Sequence, residues 1–437
     1  MNFSNFIPNR YTLKNIVQKL SEQWDIVVQS DFTKKVLHTF WTRILTMGFG
    51  LLITSLIAKF LGPESFGLYS IAVTLGAICV QVGCFGVHTS NTYFVAKSKE
   101  LLGPLAANSI IIGCFAGLFS VILIKSLIYF FPNLIRLDHL LLSLTFIWIP
   151  LALIQLLLQG LLIGIYQIKD SNKLELANKG MTLLIVSLLI YLNILNAPSA
   201  LLSQIISITI VGIWTFLTLK VYIKGPLRPS LDIFKKNVGY SLKSHFSLLL
   251  NFLILRVDLL MIHYLLSSKE VGNYALAVAM ADMVYIFPSM MGTVLFPKIC
   301  SQADKSQMWG LTKKVKPFFW ILMLFLTMTA TGIVTCIVSS IFGNKYQEAI
   351  PAFIYLMPGI LFWGASFPDY LFLTAIGLPK QVLFIWFFLL CFNVFFNIIY
   401  IKSYGILGAA IISSITYLIG FILFAVYARR LRHEPKS

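Results

Sequence analysis

The sequence predicts an all-α integral membrane protein of about twelve transmembrane helices, arranged as two parallel six-helix lobes. Three observations carry this. Of the 437 residues, 58% are hydrophobic and only 11% are charged, more apolar surface than a soluble core can bury. Runs of roughly 20 apolar residues, the length needed to cross a bilayer, follow one another almost without pause. A short motif also recurs at a constant offset of 205 residues, once in each half of the chain.

The elements follow in chain order. Residues 1–36 form a non-membrane segment in which Ile16, Val17, Leu20, Trp24, Val27 and Val28 recur at helical spacing between charged residues. That pattern fits an amphipathic helix lying on the cytoplasmic leaflet, with a disordered tail as the alternative. It lacks the apolar core of a cleavable signal, so the first span is expected to direct insertion. Spans are predicted at 37–58, 68–90, 106–130, 140–165, 175–195 and 200–222, the first lobe (37–222). A basic, proline-containing connector at 223–241 leads to spans at 242–265, 273–296, 317–341, 349–374, 381–401 and 405–428, the second lobe (242–428), and residues 429–437 form a tail. Pro150, Pro288, Pro358 and Pro368 are expected to interrupt their spans.

A net charge of +18 would suit a nucleic-acid binder until the charges are placed. With the N-terminus inside, only Lys59, Lys125, Arg136, Lys269, Lys345 and Lys402 fall outward, and Arg43 and Arg256 fall within spans. The other 26 of the 34 lysines and arginines are assigned to the inward segments, with Lys179 at the inward end of its span. This is the positive-inside pattern, so both termini are expected in the cytoplasm. The six cysteines, five in spans and Cys300 in an inward loop, lack partners at metal-ligand spacing and read as reduced packing residues.

The repeat pairs LGPESFGLYSIAV (61–73) with LSSKEVGNYALAV (266–278), identical at five of thirteen positions, including Gly67/Gly272 and Tyr69/Tyr274. The glycine suits a positive φ or a close approach, and the tyrosine suits a membrane interface. Six spans separate the copies, so the lobes share one orientation and relate by an axis along the membrane normal. With these residues, the Arg-x-Asp of RVDLLMIHYLL (256–266) and FGNKYQEA (342–349), the chain resembles the Wzx-type O-antigen and polysaccharide flippases. That family belongs to the MOP superfamily, with MATE multidrug transporters and lipid II flippases, and the resemblance covers residues 37–428.

The resemblance implies transport without covalent chemistry and without a cofactor. An undecaprenyl-diphosphate-linked oligosaccharide, for O-antigen or a related surface polysaccharide, would pass from the cytoplasmic to the periplasmic leaflet of a bacterial inner membrane. Two lobes would rock around a cation-lined cavity, coupled to the membrane potential, H+ or Na+, with other polysaccharide-assembly membrane proteins as neighbours. The alternatives are a MATE-like multidrug or cation antiporter and a membrane polysaccharide polymerase or ligase. The outward loops are about ten residues or fewer and carry no catalytic cluster, which weighs against an enzyme.

Charged residues inside spans mark the candidate site, because each costs roughly 2.5–3.5 kcal/mol on insertion scales unless it is paired or wet. Arg256, near the middle of the seventh span, meets either the diphosphate or Asp282; both lie 13 residues from Lys269, on antiparallel neighbours at similar depth. Asp258 points to nearly the opposite side from Arg256, about 200° away on a helix, and is a candidate coupling group. Arg43, in the first span, either attracts the diphosphate or snorkels to the headgroups. Lys243 and His38 are candidates for a ring at the cavity mouth. Asp369, beside Pro368, either joins the charge set or breaks and caps its helix. His88, His245 and His263 are expected to be hydrogen-bonded helix residues.

Overall fold

A computed structural model describes residues 31–130 and 135–432, without the side chains of residues 31–38, 243, 244 and 337. The amphipathic stretch expected at Ile16–Val28 lies outside the described residues. Every longer element described is a helix: α1 (Asp31–Gly83), α2 (Val87–Lys97), α3 (Leu102–Phe130), α4 (His139–Gly164), α5 (Ile168–Tyr191), α6 (Ala197–Tyr222) and α7 (Leu231–Ile254). Then come α8 (Val257–Leu265), α9 (Ser268–Cys300), α10 (Lys305–Phe342), α11 (Ala349–Ala365), α12 (Phe367–Ala375) and α13 (Lys380–Leu431).

Among the described residues, ten helical stretches are long and apolar enough to cross a membrane. Two of them cross twice. The 53 residues of α1 would run roughly 80 Å at ~1.5 Å each, against a hydrocarbon core of ~30 Å. Gly62, at φ 75° and ψ 170°, turns the chain back, and only a residue without a Cβ does so freely. Gly405, at φ 61°, does the same for α13. With both helices divided there, the apolar helical stretches among the described residues number twelve.

Most helices outrun the apolar windows that predicted them. The seventh begins at Leu231 rather than 242, so the connector expected over 223–241 shrinks to 223–230. Ser230 caps it, and Asn108 holds Ser230 by both backbone groups, its Nδ2 donating to the carbonyl at 2.9 Å and its Oδ1 accepting from the amide at 3.0 Å. Apolar windows mark the part of a helix that lies in the bilayer, and basic residues of good helix propensity carry it further. The proline expectation also needs correction. Pro150, Pro288 and Pro358 sit inside unbroken helices, whereas the breaks fall at Phe85–Gly86, Leu255–Arg256 and Ser366, only the last beside a proline. Neighbouring helices satisfy the backbone groups that a proline frees.

The two halves meet closely where α1 turns. There α1 crosses α9 at Gly67 and Gly272: a Cβ on Gly67 would overlap the Ser268 carbonyl, and one on Gly272 would overlap the Pro63 carbonyl. Residues 63 and 268, like 67 and 272, differ by the repeat's offset of 205, so the contact is two-fold. Of the two uses open to the repeat glycine, the structure uses close approach, and Gly67 and Gly272 keep helical conformations. A second pair obeys nearly the same symmetry. Tyr346 Oη donates to the Ala58 carbonyl at 2.8 Å, and His263 Nε2, 205 residues on from Ala58, accepts from the Arg136 amide at 3.0 Å. These contacts close the Gly62 end of the bundle. Nearer the other end, α7 rests on α2, with Asn237 donating to Asn91 at 2.7 Å and Tyr240 stacked on Tyr93 at 4.4 Å. The first half of α1 is open, with Gly48 and Gly50 facing empty space.

The close crossing makes a test. Gly67→Leu or Gly272→Leu should part the helices, whereas Gly225→Leu, in the connection and facing open space, should not. Spin labels on exposed Glu64 and Lys269, in a cysteine-free background, should report a longer distance in the first two variants and the parent distance in the third.

Candidate functional site

The charges buried in the bundle sort into pairs set by helix geometry. Arg256 does not sit inside a continuous span as expected. It is the residue at which α7 ends and α8 begins, with φ −133° and ψ −20°. Its Nη2 reaches Asp282 Oδ2 on α9 at 2.5 Å, and the two side chains are partly accessible, 24% and 38% exposed. Asp258 does turn away from Arg256. Its carboxylate accepts from Tyr274 Oη at 2.6 Å, from Ser413 Oγ at 3.3 Å and from the Leu259 amide at 2.9 Å, and it is sealed from solvent.

From Ser413 the polar cluster runs on through the buried interior. Asn393 Nδ2 donates to Ser413 Oγ at 3.5 Å and to Thr416 Oγ1 at 3.2 Å, and Asn397 Nδ2 donates to Asn393 Oδ1 at 2.9 Å. Asn397 Oδ1 is buried without a partner. Polar groups at this depth have no water to turn to, so they bond to one another. The repeat tyrosines are therefore not interfacial anchors as expected. Tyr274 and Tyr69 are both buried, and Tyr69 is bonded to Gln204.

In the first half, Arg43 pairs with Glu175 on α5 at 3.5 Å and remains half exposed. Lys179 lies one turn beyond Glu175. Its side chain is accessible although protein surrounds it closely, which marks a group lining an internal cavity. Asp369 makes no capping hydrogen bond and instead joins the charge set: it is fully buried and forms an ion pair with Lys316 on α10 at 2.5 Å, with the ammonium also 4.8 Å from the Trp309 ring centre. The side chains of His38 and Lys243 lie outside those described. A larger cavity of about 900 Å³ between α1, α3 and α7 has an almost wholly apolar lining, from Leu75 to Leu260, and none of these charges. Among the described residues no group of three or more His, Cys, Asp or Glu could hold a metal ion.

Residues 32–303, more than half of the chain, match the polysaccharide biosynthesis protein family. The chain belongs to that family. A relative of this family member is an uncharacterized membrane protein of Methanocaldococcus jannaschii, 28% identical over 189 residues, 42% of this chain. The match spans 36% of that protein's length. Among solved structures, the family member is similar to an inward-facing multidrug resistance MATE transporter of the MOP superfamily (TM-score 0.73, 16% identity, 89% of this chain and 94% of that one). It is also similar to lipid II flippase MurJ in an inward closed conformation (TM-score 0.71, 18% identity, 90% and 87%). An outward-facing MATE structure superimposes with a TM-score of 0.65 at 16% identity, over 93% and 97% of the chains. The protein thus has the MATE/MurJ fold and is a multi-pass membrane protein.

Sequence reasoning passed over Lys179, Lys316, Glu175 and the amides Asn393 and Asn397. Both lysines were counted with inward segments, yet both stand inside helices. The amides left a signal: they are four residues apart in an apolar span, on one helix face. The Lys316–Asp369 pair gives a stability test. Asp369→Asn leaves an ammonium buried without its counter-ion, and such a loss costs about 3–5 kcal/mol. The expected result is a clearly lower Tm for purified Asp369→Asn, largely restored by Lys316→Met with Asp369→Leu.

Proposed function

We propose that this protein is a flippase that carries an undecaprenyl-diphosphate-linked oligosaccharide across the membrane by alternating access. The observation that carries this reading is the placement of Arg43, Lys179 and Arg256, all accessible, inside a bundle whose Gly62 end is closed. Membership of a polysaccharide biosynthesis family supports a lipid-linked glycan as the substrate. Guanidinium and ammonium groups suit a diphosphate, which takes charge-assisted hydrogen bonds from both.

In this reading residues 37–222 and 242–428 are the rocking lobes. The basic helix ends support a reading with both termini in the cytoplasm of a bacterial inner membrane and the Gly62 end toward the periplasm. The diphosphate enters from the cytoplasmic side and displaces Asp282 from Arg256. The lobes then part at the glycine crossing and close behind the substrate. No bond in the substrate breaks, so the protein is not an enzyme. An anion moving to the positive outside gains about 2.3 kcal/mol per charge per 100 mV, so the membrane potential favours export. Asp258, ringed by hydroxyl and amide groups, is the group through which H+ or Na+ would couple instead.

Two measurements test the proposal. In vesicles holding the purified protein and a fluorescent polyprenyl-diphosphate sugar, an imposed potential without a pH or Na+ gradient should speed flipping. No stimulation would remove the potential-driven version, and stimulation by a pH or Na+ gradient that Asp258→Asn abolishes would replace it with ion coupling. Arg256→Lys keeps a cation beside Asp282 but not a two-pronged phosphate contact. It should lower flipping about tenfold or more with little change in Tm, and near-parent flipping would exclude direct recognition by Arg256.

A further inference from the structure

Tyr69 and Tyr274 stand at matching positions of the repeat, yet they serve opposite kinds of site. Tyr274 donates to the Asp258 carboxylate in a packed, dry cluster. Tyr69 bonds Gln204 beside a cavity of about 260 Å³. The packed site holds an anion, and the open one holds a cation, Lys179.

The lining of the open cavity defines its ligand by chemistry. Its working side chains are Tyr69, Trp148, Asn178, Lys179, Thr182 and Gln204. No carboxylate lines it; Glu175, one turn before Lys179 on α5, pairs with Arg43 and acts on Lys179 only through space. Lys179 makes no ion pair of its own among the described residues. The amides both donate and accept, as vicinal hydroxyls require, and Lys179 answers a phosphate. Trp148 offers an indole face of the kind on which the C–H face of a pyranose rests. Gly76 lets that indole lie against α1, since a Cβ there would stand 2.7 Å from the ring. A volume of about 260 Å³ has room for one sugar ring.

We infer that this cavity binds the sugar ring next to the diphosphate of the lipid-linked substrate. Trp148 lies under the ring, Asn178 and Gln204 meet its hydroxyls, and Lys179 meets the phosphate attached to it. The inference rests on the flippase reading and adds a subsite to it: the first half reads the sugar–phosphate junction, while Arg256 of the second half holds the diphosphate from across the bundle.

Binding of short-chain probes to the purified full-length protein, measured by calorimetry, tests both levels separately. The probes are geranyl diphosphate, bare or joined to glucose, galactose, N-acetylglucosamine or N-acetylgalactosamine. The parent should bind at least one sugar-bearing probe about tenfold more tightly than bare geranyl diphosphate. Trp148→Leu and Gln204→Leu should erase that preference while leaving the affinity for the bare probe unchanged. Lys179→Gln should weaken both probes about tenfold, and Lys179→Arg should recover most of the loss. Variants whose Tm matches the parent carry the comparison, and Asn178→Leu serves where Gln204→Leu misfolds. If no sugar is preferred over the bare probe, or if the preference survives Trp148→Leu, the subsite is overturned. If the parent binds neither kind of probe, the flippase reading itself fails.

Discussion

The structure depends on one close contact, the crossing of α1 and α9 at Gly67 and Gly272. Helices in a bilayer gain little from hiding apolar surface, because lipid tails are as apolar as leucine. What draws them together is close packing, and two absent side chains let backbone approach backbone at this crossing. Its symmetry follows from the repeat: each glycine meets the carbonyl that stands four residues before the other. With this end joined, the proposal that the substrate enters from the other end gives the positions of Arg43, Lys179 and Arg256 their meaning.

Much of this architecture was legible in the chain. Twelve apolar windows gave twelve crossings, because burial in lipid leaves a continuous mark on composition. Depth matched Arg256 with Asp282, one of the two partners the sequence left open, and Asp258 faces away from Arg256 although the helix breaks between α7 and α8. Three things were hidden. Averaging over a window blurs the depth of single lysines, so Lys179 and Lys316 passed for residues of the inward segments. The break at Arg256 carries neither glycine nor proline, and it arises where α7 ends and the short α8 is drawn toward α9 and α13. The tyrosines of the repeat looked like interfacial anchors because their polar partners, Gln204 and Asp258, come from other spans.

The two halves also show how equal backbones come to hold unlike electrostatics. In the second half the carboxylate of Asp258 is satisfied by three donors, and the surrounding amides and hydroxyls form a rigid cluster. In the first half the corresponding region stays open, and its charge is reversed. A buried, fully bonded anion resists change in its surroundings. An accessible cation keeps its bonding capacity for something that arrives.

The glycine crossing has a consequence for how such a protein changes over generations. A contact between main chains asks the genetic message for very little: two positions without a side chain, and apolar neighbours of almost any kind. Hundreds of other positions are then free to drift. Kinship in this fold is accordingly written in geometry long after it has faded from the letters of the sequence.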